Sequence, residues 1–143
     1  MNTSIDNISF NISGDKPASS SFYQSGVELS SNNTSHIYSI LAYNILTEDW
    51  DSYGAKKPNG AAIVKSINFI YSELSPRKLE VFFTALTPDG DVLVEVKNIT
   101  SNLELIFSGE VDDKIVASCN GDFYAEEILN ETTLLAYLKW MEK

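Results

Sequence analysis

The sequence contains one histidine and one cysteine, the residue types that most often serve as bases, nucleophiles or soft metal ligands. His36 stands at the start of a predicted helix, and we interpret it as a surface or capping residue. Cys119 lies in a predicted strand with no evident base or positive charge to activate it, which favours a small buried hydrophobe. With one histidine there is no histidine-rich metal site and no second base, and one cysteine cannot build a cysteine metal site alone, so the sequence predicts no catalytic residue.

Carboxylate pairs are the other groups with chemical potential, since two acids can share acid–base work or hold a cation. Turns favour acids for local hydrogen bonding, and every pair lies in or beside a predicted turn. Asp89-Gly90-Asp91 has the look of a calcium loop but lacks the full ligand spacing. We therefore expect no metal, no cofactor and no enzymatic activity. The pairs are Asp49 with Asp51, Asp89 with Asp91, Asp112 with Asp113, and Glu126 with Glu127.

Acidic residues concentrate between Gly109 and Glu131, where seven acids accompany one base, Lys114. They form one acidic face if the predicted hairpin and the last helix start lie together. One interpretation is a solvated edge whose charges block strand addition. The other is a binding surface for a basic or nucleic-acid-handling protein, recognised by imitation of phosphate and weakened by salt. The seven acids are Glu110, Asp112, Asp113, Asp122, Glu126, Glu127 and Glu131.

A loop with two large aromatic residues, Trp50 and Tyr53, separates the first two predicted helices. In one interpretation Trp50 plugs the gap between the helices and the sheet, while Asp51 accepts backbone N–H groups and Gly54 permits a tight turn. In the other, Trp50 and Tyr53 form an exposed aromatic binding site with Asp51 as its polar partner. The residues alone do not separate a clamp from a binding site.

Composition excludes several kinds of partner. Twenty acidic and ten basic residues give a net charge of −10, which argues against direct nucleic-acid binding and against anionic membranes. No apolar run reaches the roughly 18 residues that span a bilayer. The first residues lack the basic start and apolar stretch of a signal peptide. We therefore expect a soluble, cytoplasmic protein.

Hydrophobic periodicity predicts helices on both sides of a run of strands. Apolar residues recur at helical spacing from 37 to 45, from 63 to 74 and from 134 to 141. Candidate N-caps are Asn33-Thr34-Ser35 for the first helix and Asn130 for the last. From Leu79 to Ile128 the period changes to two, with turn residues between at least five stretches. This pattern predicts an α+β fold, an antiparallel β-meander of about five strands with two or three helices packed on one face.

The sequence predicts one α+β domain over residues 36–143, the size of a single domain. Residues 1–35 are rich in Ser and Asn and contain one alternating stretch, Ile8-Ser9-Phe10-Asn11-Ile12. We predict an N-terminal arm there. It is either partly extended and laid on the domain or flexible.

The loop Trp50-Asp51-Ser52-Tyr53-Gly54-Ala55 with Pro58 resembles a pattern of uncharacterised small bacterial proteins. Their loop usually reads Trp-Asp-Gly-Tyr-Gly-Ala with a proline shortly after, followed by a helix and a Thr-Pro-Asp-Gly hairpin. Thr87-Pro88-Asp89-Gly90 fits that hairpin. The resemblance implies a fold and no activity. Because Ser52 replaces the usual glycine, we expect an ordinary φ there. An aromatic residue usual near Val96 is missing, so a ligand contact made by it would be lost.

Small size, acidity and the missing catalytic residues favour a non-enzymatic interaction protein. Our first hypothesis is an acidic accessory factor of bacterial or phage origin, such as an inhibitor, antitoxin or immunity-type protein, that binds another protein. The alternative is a small-molecule-binding or enzymatic α+β domain that uses the Trp50–Tyr53 loop. A third interpretation is a homodimer formed through an exposed sheet edge.

Overall fold

A five-stranded antiparallel sheet forms one layer of the fold, and its strands lie side by side in chain order. The computed structural model describes residues 28–142. Turn residues separate the strands as the sequence predicts. At the Asn120-Gly121 hairpin both residues have positive φ, +54° and +84°. The strands are β1 (Val81–Leu86), β2 (Val92–Lys97), β3 (Ser101–Phe107), β4 (Lys114–Cys119) and β5 (Asp122–Ile128).

Helices form the second layer, on one face of the sheet. Helix α1 (Ser31–Ala42) ends in a 3-10 turn, and α2 (Gly60–Phe69) continues through a π-helical turn, Ile70–Leu74. Helix α3 (Glu131–Met141) closes the fold after β5. The predicted α+β meander with helices on one face is confirmed. None of the helices between residues 28 and 142 is long and apolar enough to cross a membrane.

The core lies between the two layers and follows from strand alternation. Side chains of a strand point alternately to the two faces, so every second residue is buried against the helices. Val92, Val94 and Val96 of β2 are buried, and so are Leu103 and Leu105 of β3. They pack against the apolar stripes of the helices, whose buried members include Ile40, Ile63, Ile70 and Leu138. Among residues 28–142, the helices thus cover one face of the sheet.

The start of α1 differs from the prediction. Ser30, not Asn33-Thr34-Ser35, is the N-cap, and its hydroxyl accepts the N–H of Asn33 at 3.0 Å. Asn33 is instead buried inside the helix, where its side chain bonds Leu79 O at 3.0 Å and Val81 N at 2.9 Å. This amide joins α1 to the beginning of β1. The predicted domain boundary at residue 36 therefore falls within α1, and residues 1–27 of the predicted arm lie outside the described residues.

The last helix begins as predicted. The Asn130 side chain accepts the N–H of Thr133 at 2.9 Å, and the Thr133 hydroxyl accepts the N–H of Asn130 at 2.9 Å. This reciprocal pair is a capping box. It fixes the point at which the chain leaves the edge strand β5 and turns back over the sheet.

Candidate functional site

The loop between α1 and α2 is held by its own acidic side chains. Asp51 Oδ1 accepts the N–H groups of Tyr53 at 2.8 Å and Ala55 at 3.1 Å. Asp49 Oδ1 accepts the N–H of Gly54 at 2.6 Å, and Glu48 Oε2 accepts that of Lys57 at 2.6 Å. These carboxylates satisfy backbone donors that have no helix or strand partner. Asp51 therefore has the role expected for a clamp.

Trp50 and Tyr53 have different environments. The Trp50 indole N–H donates to Lys56 O at 2.9 Å, which closes the loop on itself. Its ring is partly buried but does not belong to the hydrophobic core of the described residues, so it does not plug the gap beneath the helices. Tyr53 is 91% exposed. Trp50 is therefore held by the loop, whereas Tyr53 projects into solvent.

Ser52 contradicts the expectation of an ordinary backbone at that position. Its φ is +67°, in the left-handed region, and Asp49 and Gly54 also have positive φ, +63° and +87°. A residue with a Cβ pays a steric penalty there that glycine does not. This chain adopts the left-handed conformation with a serine at that position.

The two motifs that carry the bacterial resemblance contact each other. Lys56 N donates to Pro88 O at 2.8 Å, and Asn59 N donates to Gly90 O at 2.9 Å. Gly90 has a φ of +87°, and a Cβ at this residue would lie 2.7 Å from Lys57 O. The loop therefore docks, backbone to backbone, on the turn between β1 and β2. This contact supports the clamp interpretation.

Two of the acids near the turn between β3 and β4, Glu110 and Asp113, have partners within the chain. Glu110 Oε1 lies 3.8 Å from Lys56 Nζ. Asp113 accepts the N–H of Ser108 at 2.7 Å, and its carboxylate lies 3.3 Å from Lys65 Nζ. Asp113 therefore orders this turn. Its carboxylate is already engaged within the chain.

The three acids of β5 differ in position and orientation. Glu126 and Glu127 are consecutive in β5 and so point to opposite faces of the sheet. Glu127 accepts a hydrogen bond from Tyr137 of α3, and this bond, with burial, raises the pKa of Tyr137 to about 12. Asp122 is at the opposite end of β5, about 20 Å from Ile128 at the usual rise per residue. Asp122 therefore lies apart from Glu126 and Glu127. The turn that holds Glu110, Asp112 and Asp113 lies beside the end of β5, where Leu129 N donates to Asp113 O at 2.8 Å.

The second face of the sheet, which we call the open face, has no helix on it within residues 28–142. A solvated sheet face usually carries polar residues at alternate positions. This one carries large apolar residues. Phe83 is 48% exposed, Phe123 69% and Ile128 55%. The open face comprises Phe82, Phe83, Ala85, Leu93, Glu95, Lys97, Asn102, Glu104, Ile106, Lys114, Val116, Ser118, Phe123, Glu126 and Ile128.

Two glutamates occupy the middle of the open face. Glu95 of β2 and Glu104 of β3 are direct cross-strand partners, an arrangement of like charges that destabilises a sheet. The two lysines of this face contact other residues. Lys97 Nζ lies 4.6 Å from the centre of the Phe82 ring, and Lys114 Nζ lies 3.8 Å from the Glu126 carboxylate. In the described part of the chain, neither Glu95 nor Glu104 has an ion-pair partner.

The sole histidine and cysteine do not approach each other. His36 Nδ1 lies 3.4 Å from Thr84 Oγ1 in β1, and burial lowers the pKa of His36. Cys119 is a partly buried free thiol at the end of β4. No group of three or more His, Cys, Asp or Glu side chains that could hold a metal ion occurs between residues 28 and 142.

A shallow groove runs along the outer side of α1 and is lined by Ser31, Thr34, Ser35, Tyr38, Ser39 and Ala42. It includes none of the loop residues Trp50, Asp51 and Tyr53. Comparisons with protein-family models, with curated proteins and with solved structures found no match. The assignment of function therefore rests on the geometry of this chain.

Proposed function

We propose that this chain is a non-enzymatic interaction protein that binds another protein through the open face. The observation that carries the proposal is the apolar character of a sheet face that no described helix covers. Contiguous exposed apolar surface on a soluble domain marks an interaction site, because leaving it in water costs about 25 cal/mol for each Å². Leu93, Ile106 and Val116 lie at the centre of this face, one on each of the three inner strands.

The class of protein follows from size and charge. A chain of 143 residues with a net charge of −10 suits an acidic accessory factor, such as an inhibitor, antitoxin or immunity-type protein. The similarity of the Trp50 loop to loops of small bacterial proteins supports a bacterial or phage origin. In this proposal the fold presents a binding surface.

The Trp50 loop supports this function only indirectly. Its acids are consumed by backbone N–H groups, and Asp51 accepts two of them. The alternative function for this loop uses Asp51 as the polar partner of the aromatic rings, whereas its Oδ1 atom accepts backbone N–H groups of the loop itself. The loop instead fixes the turn between β1 and β2 and thereby the margin of the sheet.

The test compares capture of cellular proteins by matched variants of the full chain. Leu93→Thr with Ile106→Thr removes apolar surface from the open face. Threonine is β-branched and suits a strand, so the sheet should be kept. Val64→Thr with Ile45→Thr makes the same kind of change at exposed positions elsewhere, since these residues are 58% and 81% exposed. Extract from the organism that encodes the chain is passed over each immobilised variant, and bound proteins are quantified by mass spectrometry.

We expect wild type and the Val64 and Ile45 variant to capture the same protein in equal amounts. The open-face variant should capture at least about tenfold less of it, as for removal of central contacts. Thermal unfolding of each variant confirms that the fold is kept. Equal retention by all three variants would show that the open face is not the binding surface.

A further inference from the structure

We infer that the partner covers the open face with a basic amphipathic helix, whose Lys or Arg side chains pair with Glu95 and Glu104. This inference rests on the proposed function and adds the chemistry of the partner. Its basis is the uncompensated pair of glutamates at the centre of an apolar face. In the predicted acidic stretch from Gly109 to Glu131, by contrast, Glu110, Asp113 and Glu127 already have partners within the chain.

The charge argument starts from the cost of the glutamate pair. Two carboxylates directly opposite each other on neighbouring strands repel, and both are half-buried among apolar side chains, where water screens them less. The flanking residues along this row are Phe83 and Val116. A cation placed over the pair relieves the repulsion, while its aliphatic stem packs on the apolar neighbours. A neutral or acidic surface would leave both charges buried and unpaired.

The choice of a helix follows from backbone hydrogen bonding. The strands β2, β3 and β4 lie inside the sheet, so their backbone groups are paired with neighbouring strands. The open face therefore offers side chains only, and a segment that covers it must satisfy its own backbone groups, as a helix does. The face measures about 20 Å in each direction from strand spacing and rise, which matches a helix of about 14 residues.

A second copy of this chain fits the face poorly. Glu104 occupies the middle open position of β3, the central strand. A two-fold axis through the centre of the face would bring Glu104 against its own copy. Pairing along β5 is hindered by its bulge opposite Ala117/Ser118 and by its charged residues.

The test uses two synthetic helical peptides of about 16 residues with the full chain. Both carry the same leucine stripe, and they differ only in having lysine or glutamate on its flanks. Binding to wild type is measured by fluorescence anisotropy at two salt concentrations. Glu95→Gln with Glu104→Gln removes the central charges. Asp122→Asn with Glu131→Gln makes the same change in net charge at exposed positions away from the centre of the face.

We expect the lysine peptide to bind at least about tenfold more tightly than the glutamate peptide, with a preference that decreases at high salt. The Glu95 and Glu104 variant should lose most of this preference, and the Asp122 and Glu131 variant should keep it. Leu93→Thr with Ile106→Thr should weaken binding of both peptides.

Other outcomes overturn the inference and separate it from the proposed function. If both peptides bound equally and both needed Leu93 and Ile106, the open face would still be a binding surface. The basic character of its partner would then be rejected. A preference lost only in the Asp122 and Glu131 variant would place the basic partner on the acidic stretch. Failure of both peptides to bind would reject a basic helix, while the capture experiment would still decide the function. A wild-type dimer abolished by Leu93→Thr with Ile106→Thr would identify a second copy as the occupant.

Discussion

Three residues between Asp49 and Gly54 adopt a left-handed backbone, and only one of them is a glycine. Asp49 gains a hydrogen bond in return, because its carboxylate accepts the N–H of Gly54. For Ser52, no hydrogen bond from its side chain is found in the described chain. Its strain is therefore offset by the rest of the loop, through the hydrogen bonds of Asp51 and Trp50.

Ser52→Gly should stabilise the protein. The left-handed conformation costs a residue with a Cβ about 1–2 kcal/mol, whereas glycine adds about 0.5–1 kcal/mol of unfolded-state entropy, so we expect a net gain of about 0.5–1 kcal/mol. Chemical denaturation measures it. Ser39→Gly, on the exposed side of α1, is the control and should destabilise by about 0.5 kcal/mol. A loss of stability for Ser52→Gly would mean that the serine side chain supports the loop.

At the scale of elements, the loop after α1 and the turn after β1 stabilise each other. The contact is made by backbone atoms of Lys56, Asn59, Pro88 and Gly90, so it depends on the absence of a side chain at residue 90. Asn59 adds a second connection, because its side chain caps α2 at the N–H groups of Ala61 and Ala62. A single short segment thus fixes the start of a helix and the end of a hairpin.

Gly90→Ala should destabilise more than Gly121→Ala. Both glycines have positive φ, +87° and +84°, so both variants carry the left-handed penalty of about 1–2 kcal/mol. A Cβ at residue 90 also meets Lys57 O at 2.7 Å, whereas at residue 121 it meets no atom of the described residues within 4 Å. We expect Gly90→Ala to cost about 1–3 kcal/mol more, the usual range for overpacking, measured by denaturant unfolding. Equal losses would mean that the loop moves away freely.

The elements could be predicted from the sequence where local chemistry decides them. Alternation and turn residues located all five strands, and Asn130 marked the start of α3. The start of α1 could not be predicted, because several polar residues are equally good caps. The Asn33 side chain accepts a hydrogen bond from Val81 N–H of β1, which is distant in the chain, and so does not cap the helix. The conformation of Ser52 was missed because it is imposed by the loop as a whole.

The candidate binding face could be predicted only in part. The alternation of β2 separates Leu93, Glu95 and Lys97 from the buried valines, so the residues of that strand on the open face could be predicted. The pairing of Glu95 with Glu104 was not, because it depends on the register set by the turn at Asn98, whose side chain accepts the N–H groups of Thr100 and Ser101. A count of acids along the chain pointed to a different region.

At the scale of the whole molecule, the excess of acids acts on stability as well as on partner choice. Asp91 lies where acids of two turns approach each other. Burial raises the pKa of Asp91, and nearby carboxylates raise it further. A hydrogen bond with Ser108 lowers it, but the net shift is upward. These carboxylates belong to Asp89, Glu110 and Asp113. The ionised form of Asp91 is therefore disfavoured in the folded state.

Asp91→Asn should raise the melting temperature at pH 7. A carboxyl whose pKa is raised by folding binds more protons when folded, so its cost is fully present above the folded pKa and absent below the unfolded one, about 4. The advantage of the variant should therefore shrink as the pH falls from 7 toward 3, measured by calorimetry. Asp112→Asn removes the same charge at an exposed residue and is the control. A gain for Asp91→Asn that does not change with pH would point to a cause other than ionisation.

The order of the strands has a consequence for how the molecule opens. Within the described part of the chain, each strand pairs only with its neighbours in the sequence, through connections of two to six residues, so none of these pairings needs a distant segment. Such local contacts favour rapid folding. They also let β5 and α3 separate from the sheet without breaking any pairing among β1, β2 and β3. Amide hydrogen exchange in β5 should then run ahead of exchange in β2 and β3, and the inner strands would keep their protected protons through fluctuations that expose the edge.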